Sequence, residues 1–168
     1  KKIGNYLIRV CTPTNKPFSE IGSFYPNNAY EGIWLQKIEA GTGNEVLLKN
    51  IIPKADFNAQ NSFCISKVET DDTRIYFTCN NGFLYSFDLD GNLVWKKNLT
   101  SFPLYSPSGG THPFSFFGLN ENKIYIRSFP AAAGISNFKI INSINGTVLY
   151  DQTSYDTPQL EKFPEYFF

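Results

Sequence analysis

An all-β fold of repeated four-stranded antiparallel units is predicted by three features of this 168-residue sequence. Three segments share one pattern, an alternating run followed by a turn ending in glycine and a second apolar run: Ile33–Asn50, Phe83–Asn98 and Asn137–Gln152. Another alternating run, rich in β-branched and aromatic residues, precedes each of these hairpins, as is typical of strands. Apolar residues recur at period 2 rather than 3.6, so no helix is predicted.

Each unit is interpreted as four strands, named A to D in chain order. The predicted B strands are Asn5–Cys11, Arg74–Cys79 and Lys123–Ser128, and the predicted A strands are Phe63–Glu69 and Phe114–Leu119. Strands C and D form the hairpins, which turn at Gly43, Gly91 and Gly146 because glycine readily adopts the positive φ of a tight turn. The first unit is expected to lack strand A, since the chain begins at strand B.

The turn glycines lie 48 and 55 residues apart, and four-stranded repeats of about 40 to 50 residues are typical of β-propeller blades. The rival interpretation is a two-sheet sandwich with Greek-key connections, but three copies of one hairpin favour the propeller. We expect one all-β domain over residues 1–168, with an incomplete first blade at 5–50, blades at 62–98 and 114–152, and a tail at 153–168.

A closed propeller needs about 4 to 8 blades, which is more than this sequence supplies. Three interpretations stay open at this point. The chain is a fragment of a larger propeller, it assembles with other chains or a copy of itself, or Gln159–Phe168 supplies the missing strand A of the first blade. Pro164 argues against the third interpretation, because proline is disfavoured in central strands.

The best-formed repeat, Val68–Asn98, resembles a repeat of the pyrroloquinoline-quinone-dehydrogenase type. The matching residues are Tyr76, Asn80, Asn81, Gly82, Leu84, Tyr85, Asp88, Gly91 and Trp95. The other two units are weaker copies, with Leu47 and Tyr150 at the position of Trp95. The resemblance implies a propeller fold of about three blades in which Trp95 packs between blades, and it implies no particular activity.

Composition and motifs exclude several classes of function. Lys plus Arg and Asp plus Glu each number 15, whereas a nucleic-acid binder normally has a basic surplus. No apolar run approaches the roughly 20 residues of a membrane span. With one histidine and three cysteines, the sequence has no nucleophile elbow, phosphate-binding loop, zinc-ligand spacing or adjacent cysteine pair. We therefore expect no catalytic activity, no cofactor and no metal.

Long segments concentrate at one predicted end of the blades, opposite the glycine turns: Thr12–Glu31, Leu99–Pro113 and Phe129–Ser136. Long loops in compact domains are commonly functional. The candidate ligand or partner residues on this face pair a flat ring with a polar edge: Tyr25, Tyr30, Tyr105 and His112. Such groups suit peptides or glycans, although the same rings could instead cap the core.

We therefore expect a non-catalytic binding or scaffold module that mediates protein–protein interaction, as one segment of a larger extracytoplasmic propeller. Its partners would be another protein or further blades. The alternatives are a carbohydrate-binding module and a non-catalytic fragment of a larger propeller enzyme.

A disulfide between Cys64 and Cys79 is a further possibility. If Asp71 and Asp72 formed a two-residue hairpin turn, these two cysteines would face each other across strands A and B. Two reduced core thiols are the alternative, and Cys11 would be left as a small buried apolar residue.

Overall fold

Twelve strands in three four-stranded antiparallel sheets make up the computed structural model, which describes residues 1–11, 32–56, 68–79, 82–99, 116–128 and 136–154. The first sheet contains β1 (Lys2–Ile3), β2 (Tyr6–Cys11), β3 (Gly32–Glu39) and β4 (Glu45–Pro53). The second contains β5 (Glu69–Thr70), β6 (Arg74–Thr78), β7 (Phe83–Asp88) and β8 (Leu93–Asn98). The third contains β9 (Phe116–Asn120), β10 (Lys123–Ser128), β11 (Ser136–Asn142) and β12 (Val148–Ser154). A 3-10 turn, Lys54–Asp56, follows β4.

Each sheet is a meander in which consecutive strands pair, so the predicted order A–B–C–D is confirmed in all three sheets. The expectation that the first unit lacks strand A is wrong. Lys2–Ile3 forms this strand, because Gly4 at φ 54° reverses the chain and brings Ile3 opposite Tyr6. The position that Gln159–Phe168 was expected to fill is thus occupied, and that segment lies outside the described residues.

The three sheets stack face to face in chain order, with an apolar core in each gap. Between the first two sheets the core combines aliphatic residues with a stack of three rings: Phe77, Tyr85 and Phe87, whose centroids lie 5.8 Å apart. Between the second and third sheets it is built around Tyr76, Leu84, Ile124, Ile126 and Ile141. A third cluster, formed by Tyr125, Phe138 and Ile140, lies on the remote face of the third sheet.

The A strands lie together along one edge of the stack. β5 contacts β9, and the ammonium group of Lys1 lies 3.2 Å from the carboxylate of Glu69 in β5. Successive four-stranded meanders that pack face to face with their A strands adjacent are the blades of a propeller-like fold. The three described sheets do not close into a ring.

All three hairpins contain a β-bulge at the same place, which the sequence analysis did not predict. One extra residue on each D strand, Val46, Val94 or Leu149, stands without a partner on strand C. These three residues are exposed. Since a bulge re-aims the side chain that follows it, the next residues, Leu47, Trp95 and Tyr150, turn toward the face that receives the following sheet.

The predicted turn at Asp71–Asp72 is displaced by one residue. Glu69 pairs with Tyr76 and Thr70 with Ile75, and the Asp71 N–H donates a hydrogen bond to the Arg74 carbonyl oxygen at 3.2 Å, so the two-residue turn is Asp72–Thr73. The cause is the carboxylate of Asp71, which accepts hydrogen bonds from the backbone N–H groups of Thr73 and Arg74 at 2.8 and 2.7 Å.

The predicted disulfide between Cys64 and Cys79 rested on the turn at Asp71–Asp72, and the observed pairs of β5 with β6 are displaced from it by one residue. Cys64 lies outside the described residues, so the bond itself stays a prediction. Cys79 is fully buried in the core between the first two sheets. Cys11 is half-buried rather than buried, and this partial burial raises the pKa of its thiol.

Candidate functional site

The contact between the second and third sheets centres on Trp95 and the turn of the next hairpin. The indole Nε1–H of Trp95 donates a hydrogen bond to the carbonyl oxygen of Ser143 at 2.9 Å. The same ring covers Gly146, where an added Cβ would lie 3.0 Å from the ring carbon Cε3. The position between blades that the repeat resemblance implied for Trp95 is thus observed.

Arg74 reinforces this contact from strand B. One guanidinium nitrogen donates to the carbonyl oxygens of Ser143 and Ile144 at 3.2 and 2.8 Å. Both partners of the second sheet, Arg74 and Trp95, therefore recognise backbone carbonyls of the third-sheet turn rather than its side chains.

Tyr76 lies beneath Trp95, with 6.2 Å between ring centroids, and its hydroxyl donates to the Asp71 carboxylate at 2.6 Å. Burial and this hydrogen bond raise the pKa of Tyr76 to about 12. Burial also tends to raise the pKa of Asp71, but hydrogen bonds from Tyr76, Thr73 and Arg74 outweigh it and hold that pKa below its ordinary value.

The contact between the first and second sheets is likewise made at the C–D turn of the following sheet, here Asp88–Asn92, but different side chains form it. The ammonium group of Lys49 donates to the Asn92 side-chain oxygen at 2.7 Å and to the Asp90 carbonyl at 3.2 Å. Lys37 forms an ion pair with the Asp90 carboxylate at 3.2 Å. Gly91 is closely covered, since an added Cβ would lie 2.9 Å from Ile51. Both contacts therefore contain a buried turn glycine that side chains of the preceding sheet cover closely.

Arg74, Lys37 and Lys49 are not among the residues that the sequence predicts to be functional. Their signal in the sequence is weak, because isolated basic residues near strand ends are usually solvated. Only the repeat alignment, which places Arg74 at the first position of a B strand, could have drawn attention to one of them.

The first-sheet turn, Glu39–Asn44, is built like the third-sheet turn, Asn142–Thr147. In both turns, the glycine N–H donates to the carbonyl oxygen of the residue four positions earlier at 2.8 Å. The N–H of the residue after the glycine donates to the side chain of the residue before the glycine, which is Thr42 or Asn145. Both glycines have positive φ, 76° at Gly43 and 73° at Gly146. By this correspondence Ala40 matches Ser143, and Gly41 matches Ile144.

The first-sheet turn is open where the other two are covered. Among the described residues, no atom lies within 4 Å of a Cβ added at Gly41 or Gly43. A shallow cleft of about 440 Å³ lies between this turn and the A–B turn, lined by Lys2, Asn5, Glu39, Ala40, Gly41 and Thr42.

The face of the first sheet beside this turn is also uncovered. Leu7 is 43% exposed, whereas Ile75 and Ile124, at the same register position in the next two sheets, are 0% exposed. Ile38, opposite Leu7, is half-buried, whereas its counterparts Phe87 and Ile141 are buried. The first sheet therefore presents the surface that the other two bury against a preceding sheet.

The four side chains predicted to form a ligand face, Tyr25, Tyr30, Tyr105 and His112, lie outside the described residues, so they stay a prediction. The predicted separation of the long loops from the glycine turns is likewise not tested.

Within the described ranges, no group of three or more His, Cys, Asp or Glu side chains is arranged to hold a metal ion. The acidic turn Asp88–Asn92 is closed on itself, because Asp88 accepts hydrogen bonds from Asp90 and Asn92 at 2.8 to 2.9 Å. Burial alone would raise the pKa of Asp88, but these hydrogen bonds outweigh burial, so its pKa lies below the ordinary value. The described part of the chain contains no helix long and apolar enough to cross a membrane.

No protein-family model matches the sequence, and a search of curated proteins gives no match. The structure is similar to that of a europium-containing methanol dehydrogenase, with 10% identity over 73% of this chain and 21% of the other, and a TM-score of 0.49. It is similar to a quinohemoprotein alcohol dehydrogenase from Comamonas testosteroni, with 15% identity over 75% and 20%, and a TM-score of 0.47. It is also similar to the computationally designed Ika8 protein, with 14% identity over 80% and 36%, and a TM-score of 0.45.

The chain spans about a fifth of the length of the two dehydrogenases and about a third of the designed protein. Membership of the repeat family that the sequence resembles stays a prediction.

The comparisons correct one expectation. The chain was expected to have no catalytic activity, because it carries few catalytic groups, yet two of the similar structures are dehydrogenases. That expectation rested on the catalytic groups of this chain alone, which spans about a fifth of those two dehydrogenases.

Proposed function

We propose that this chain is a segment of a larger propeller and that the open face of its first sheet binds a further β-sheet. The observation that supports this most directly is the turn at Gly43. Its counterparts at Gly91 and Gly146 are buried under the preceding sheet, whereas Gly43 is uncovered. The same surface recurs on all three sheets, and a preceding sheet covers it on the second and third. The uncovered copy on the first sheet is therefore suited to bind another sheet of the same kind.

The exposed apolar side chains on this face support the same proposal. Burying Leu7 and Ile38 against a partner would recover about 1.5–3 kcal/mol for each side chain taken fully out of water. The proposed role of this face is protein–protein contact. It holds whether or not the complete propeller is an enzyme.

Site-specific photo-crosslinking tests this proposal. Leu7 is replaced by p-benzoylphenylalanine in the protein produced in its own cells, and cross-linked peptides are identified by mass spectrometry. We expect a cross-link to a polypeptide segment with alternating strand sequence. Leu93 in β8 is the matched control, since it is 50% exposed but lies on a peripheral D strand. Equal or absent cross-linking at the two positions would contradict the proposal.

Ligand binding by the predicted loop face is a separate proposal. Its residues lie outside the described part of the chain, so it rests on the sequence alone. A glycan array and a peptide array, run on the intact chain and on a Tyr25→Ala, Tyr105→Ala variant, test it. The extracytoplasmic location is also a proposal, and fractionation of the producing cells would test it.

A further inference from the structure

We infer that the open first-sheet turn is a binding site for an arginine side chain, which the further β-sheet presents to the backbone carbonyls of Ala40 and Gly41. This inference rests on the proposed function and adds the chemistry of the partner. It follows from the way in which the two closed contacts are made and from the correspondence between the first and third turns.

Basic side chains of the preceding sheet bind the turn in both closed contacts. One Arg74 nitrogen donates to the carbonyl oxygens of Ser143 and Ile144 at 3.2 and 2.8 Å. The ammonium group of Lys49 donates to the Asp90 carbonyl oxygen at 3.2 Å. Since a basic group of the preceding sheet contacts a turn carbonyl each time, we expect the same of a sheet that covers the first turn.

The internal hydrogen bonds of the turn favour arginine over lysine. The Gly91 N–H of the second turn donates to the carbonyl oxygen three residues earlier, whereas the Gly43 and Gly146 N–H groups donate to the carbonyl oxygen four residues earlier. The first turn therefore corresponds to the third turn, which binds arginine, rather than to the shorter second turn, which binds lysine. A guanidinium group has several N–H donors in one plane, which suits two neighbouring carbonyls.

A further backbone hydrogen bond extends this correspondence to the cleft. The Ala40 N–H donates to the Asn5 carbonyl oxygen at 2.8 Å. The Ser143 N–H donates to the Asn122 carbonyl oxygen at the same distance. The A–B turn therefore supports the C–D turn in the same way in both sheets. Ala40 and Gly41, whose carbonyls correspond to the two that bind arginine in the third turn, line the open cleft.

Among the described residues that line the cleft, Glu39 and Lys2 are charged. Glu39 begins the first turn, where the third turn has the neutral Asn142. A guanidinium group at the cleft would be attracted by this carboxylate and repelled by the Lys2 ammonium group. The third turn binds arginine although it carries no acidic residue, so backbone carbonyls alone are a sufficient acceptor.

An NMR titration with arginine as the probe tests the inference. N-acetyl-arginine amide is added to the intact, isotope-labelled chain, and the backbone amide shifts of Gly41, Thr42 and Gly43 are followed. N-acetyl-citrulline amide is the matched control probe, because it has nearly the same shape but no charge. We expect saturable shifts with the arginine probe and binding at least about tenfold weaker with the citrulline probe.

The third turn supplies two controls within the same chain. In the wild type its carbonyls already bind Arg74, so the amides of Ile144 and Gly146 should not shift. In Arg74→Ala these carbonyls lose their donor, and the arginine probe should now shift the same two amides. Circular dichroism and thermal unfolding show whether Arg74→Ala remains folded, and the wild-type titration is decisive without this variant.

Glu39→Gln and Lys2→Ala separate the carbonyls from the neighbouring charges. Glu39→Gln should weaken binding of the arginine probe about threefold, and Lys2→Ala should strengthen it about threefold, as expected for partly exposed charges. Complete loss of binding in Glu39→Gln would show that the carboxylate, rather than the backbone, is the acceptor and would overturn the assignment.

First-turn amides that shift equally with both probes, or with neither, would also overturn the inference. The cross-link from position 7 tests the proposed function separately. A cross-link to a strand segment, together with first-turn amides that do not shift, would support the proposed function and overturn the arginine site. Arginine-specific shifts without a cross-link would support the arginine site and contradict the proposed function.

Discussion

Trp95 joins the second and third sheets through two distinct interactions. Its ring covers a glycine that has no side chain of its own, and its N–H satisfies a turn carbonyl. The two interactions can be separated by substitution, because phenylalanine retains most of the ring but lacks the donor.

Trp95→Phe should lower the free energy of unfolding by about 1 kcal/mol, the usual net contribution of a hydrogen bond. Trp95→Ala should lower it by about 3 kcal/mol, the low end of the range for a buried tryptophan, because this ring is only half-buried. Urea unfolding measures both values. A near-neutral Trp95→Ala would show that the ring contributes nothing to the contact between sheets.

Gly146→Ala and Gly43→Ala form a matched pair at the same φ. Both carry the cost of positive φ, about 1–2 kcal/mol, but only the Cβ at position 146 collides with a ring. We expect Gly146→Ala to destabilise the chain by about 1–3 kcal/mol more than Gly43→Ala. Unfolding of both variants at concentrations where the chain is monomeric measures this difference, and equal losses would disprove the close contact.

These residues differ in how well the sequence predicts them. Gly43, Gly91, Gly146 and Trp95 stand out because they repeat at a fixed spacing. Arg74 and Lys49 do not, because each acts on a backbone carbonyl of a neighbouring sheet, which leaves no pattern along the chain.

At the scale of elements, the turn between β5 and β6 depends on one carboxylate. Asp71 accepts hydrogen bonds from two backbone N–H groups, from the Thr73 hydroxyl and from Tyr76. The turn therefore connects the ionisation of Asp71 to the ring that supports Trp95.

Stability should fall at acid pH for this reason. The pKa of Asp71 is lower in the folded chain than in the unfolded chain, so its contribution is present above about pH 4 and is lost as pH falls through the folded-state pKa. Asp71→Asn should reduce this acid dependence in urea unfolding between about pH 5 and pH 2. The exposed neighbour Asp72→Asn serves as the control, and an equal effect of the two variants would contradict the assignment.

Strand order and the C–D hairpins followed from the sequence, whereas the position of the turn between β5 and β6 and the bulges did not. The turn lies one residue later than predicted, at Asp72–Thr73, because the Asp71 carboxylate caps it, and the Asp-Asp pair alone does not reveal this. The bulges at Val46, Val94 and Leu149 escaped prediction because an exposed apolar residue after a turn resembles the regular start of a strand.

At the scale of the whole molecule, the first and third sheets differ from the second because each has only one neighbouring sheet among those described. The same register position is consequently exposed at Leu7 and buried at Ile75. A sequence alone cannot separate these environments, since both residues are apolar and both lie on B strands.

Leu7→Glu should therefore leave the stability of the isolated chain within about 0.5 kcal/mol of the wild type. Ile75→Glu should unfold it or lower its stability by more than about 4 kcal/mol, because an unpaired charge would be buried in the core. Thermal unfolding at low concentration checks both. A large loss for Leu7→Glu would mean that the face is already covered.

Recognition through backbone carbonyls has a consequence for the history of such repeats. Some turn residues contact the neighbouring sheet only through their backbone carbonyls. Their side chains can be replaced freely, provided that the glycine keeps its position and the turn keeps its length. Ala40 and Ser143 illustrate how little the turn itself depends on side chains, since unlike residues stand at equivalent points of two turns with the same length and internal hydrogen bonds. Duplicated units can consequently drift far apart in sequence while the joint between them persists, and their common origin then survives in main-chain geometry long after residue identity has faded.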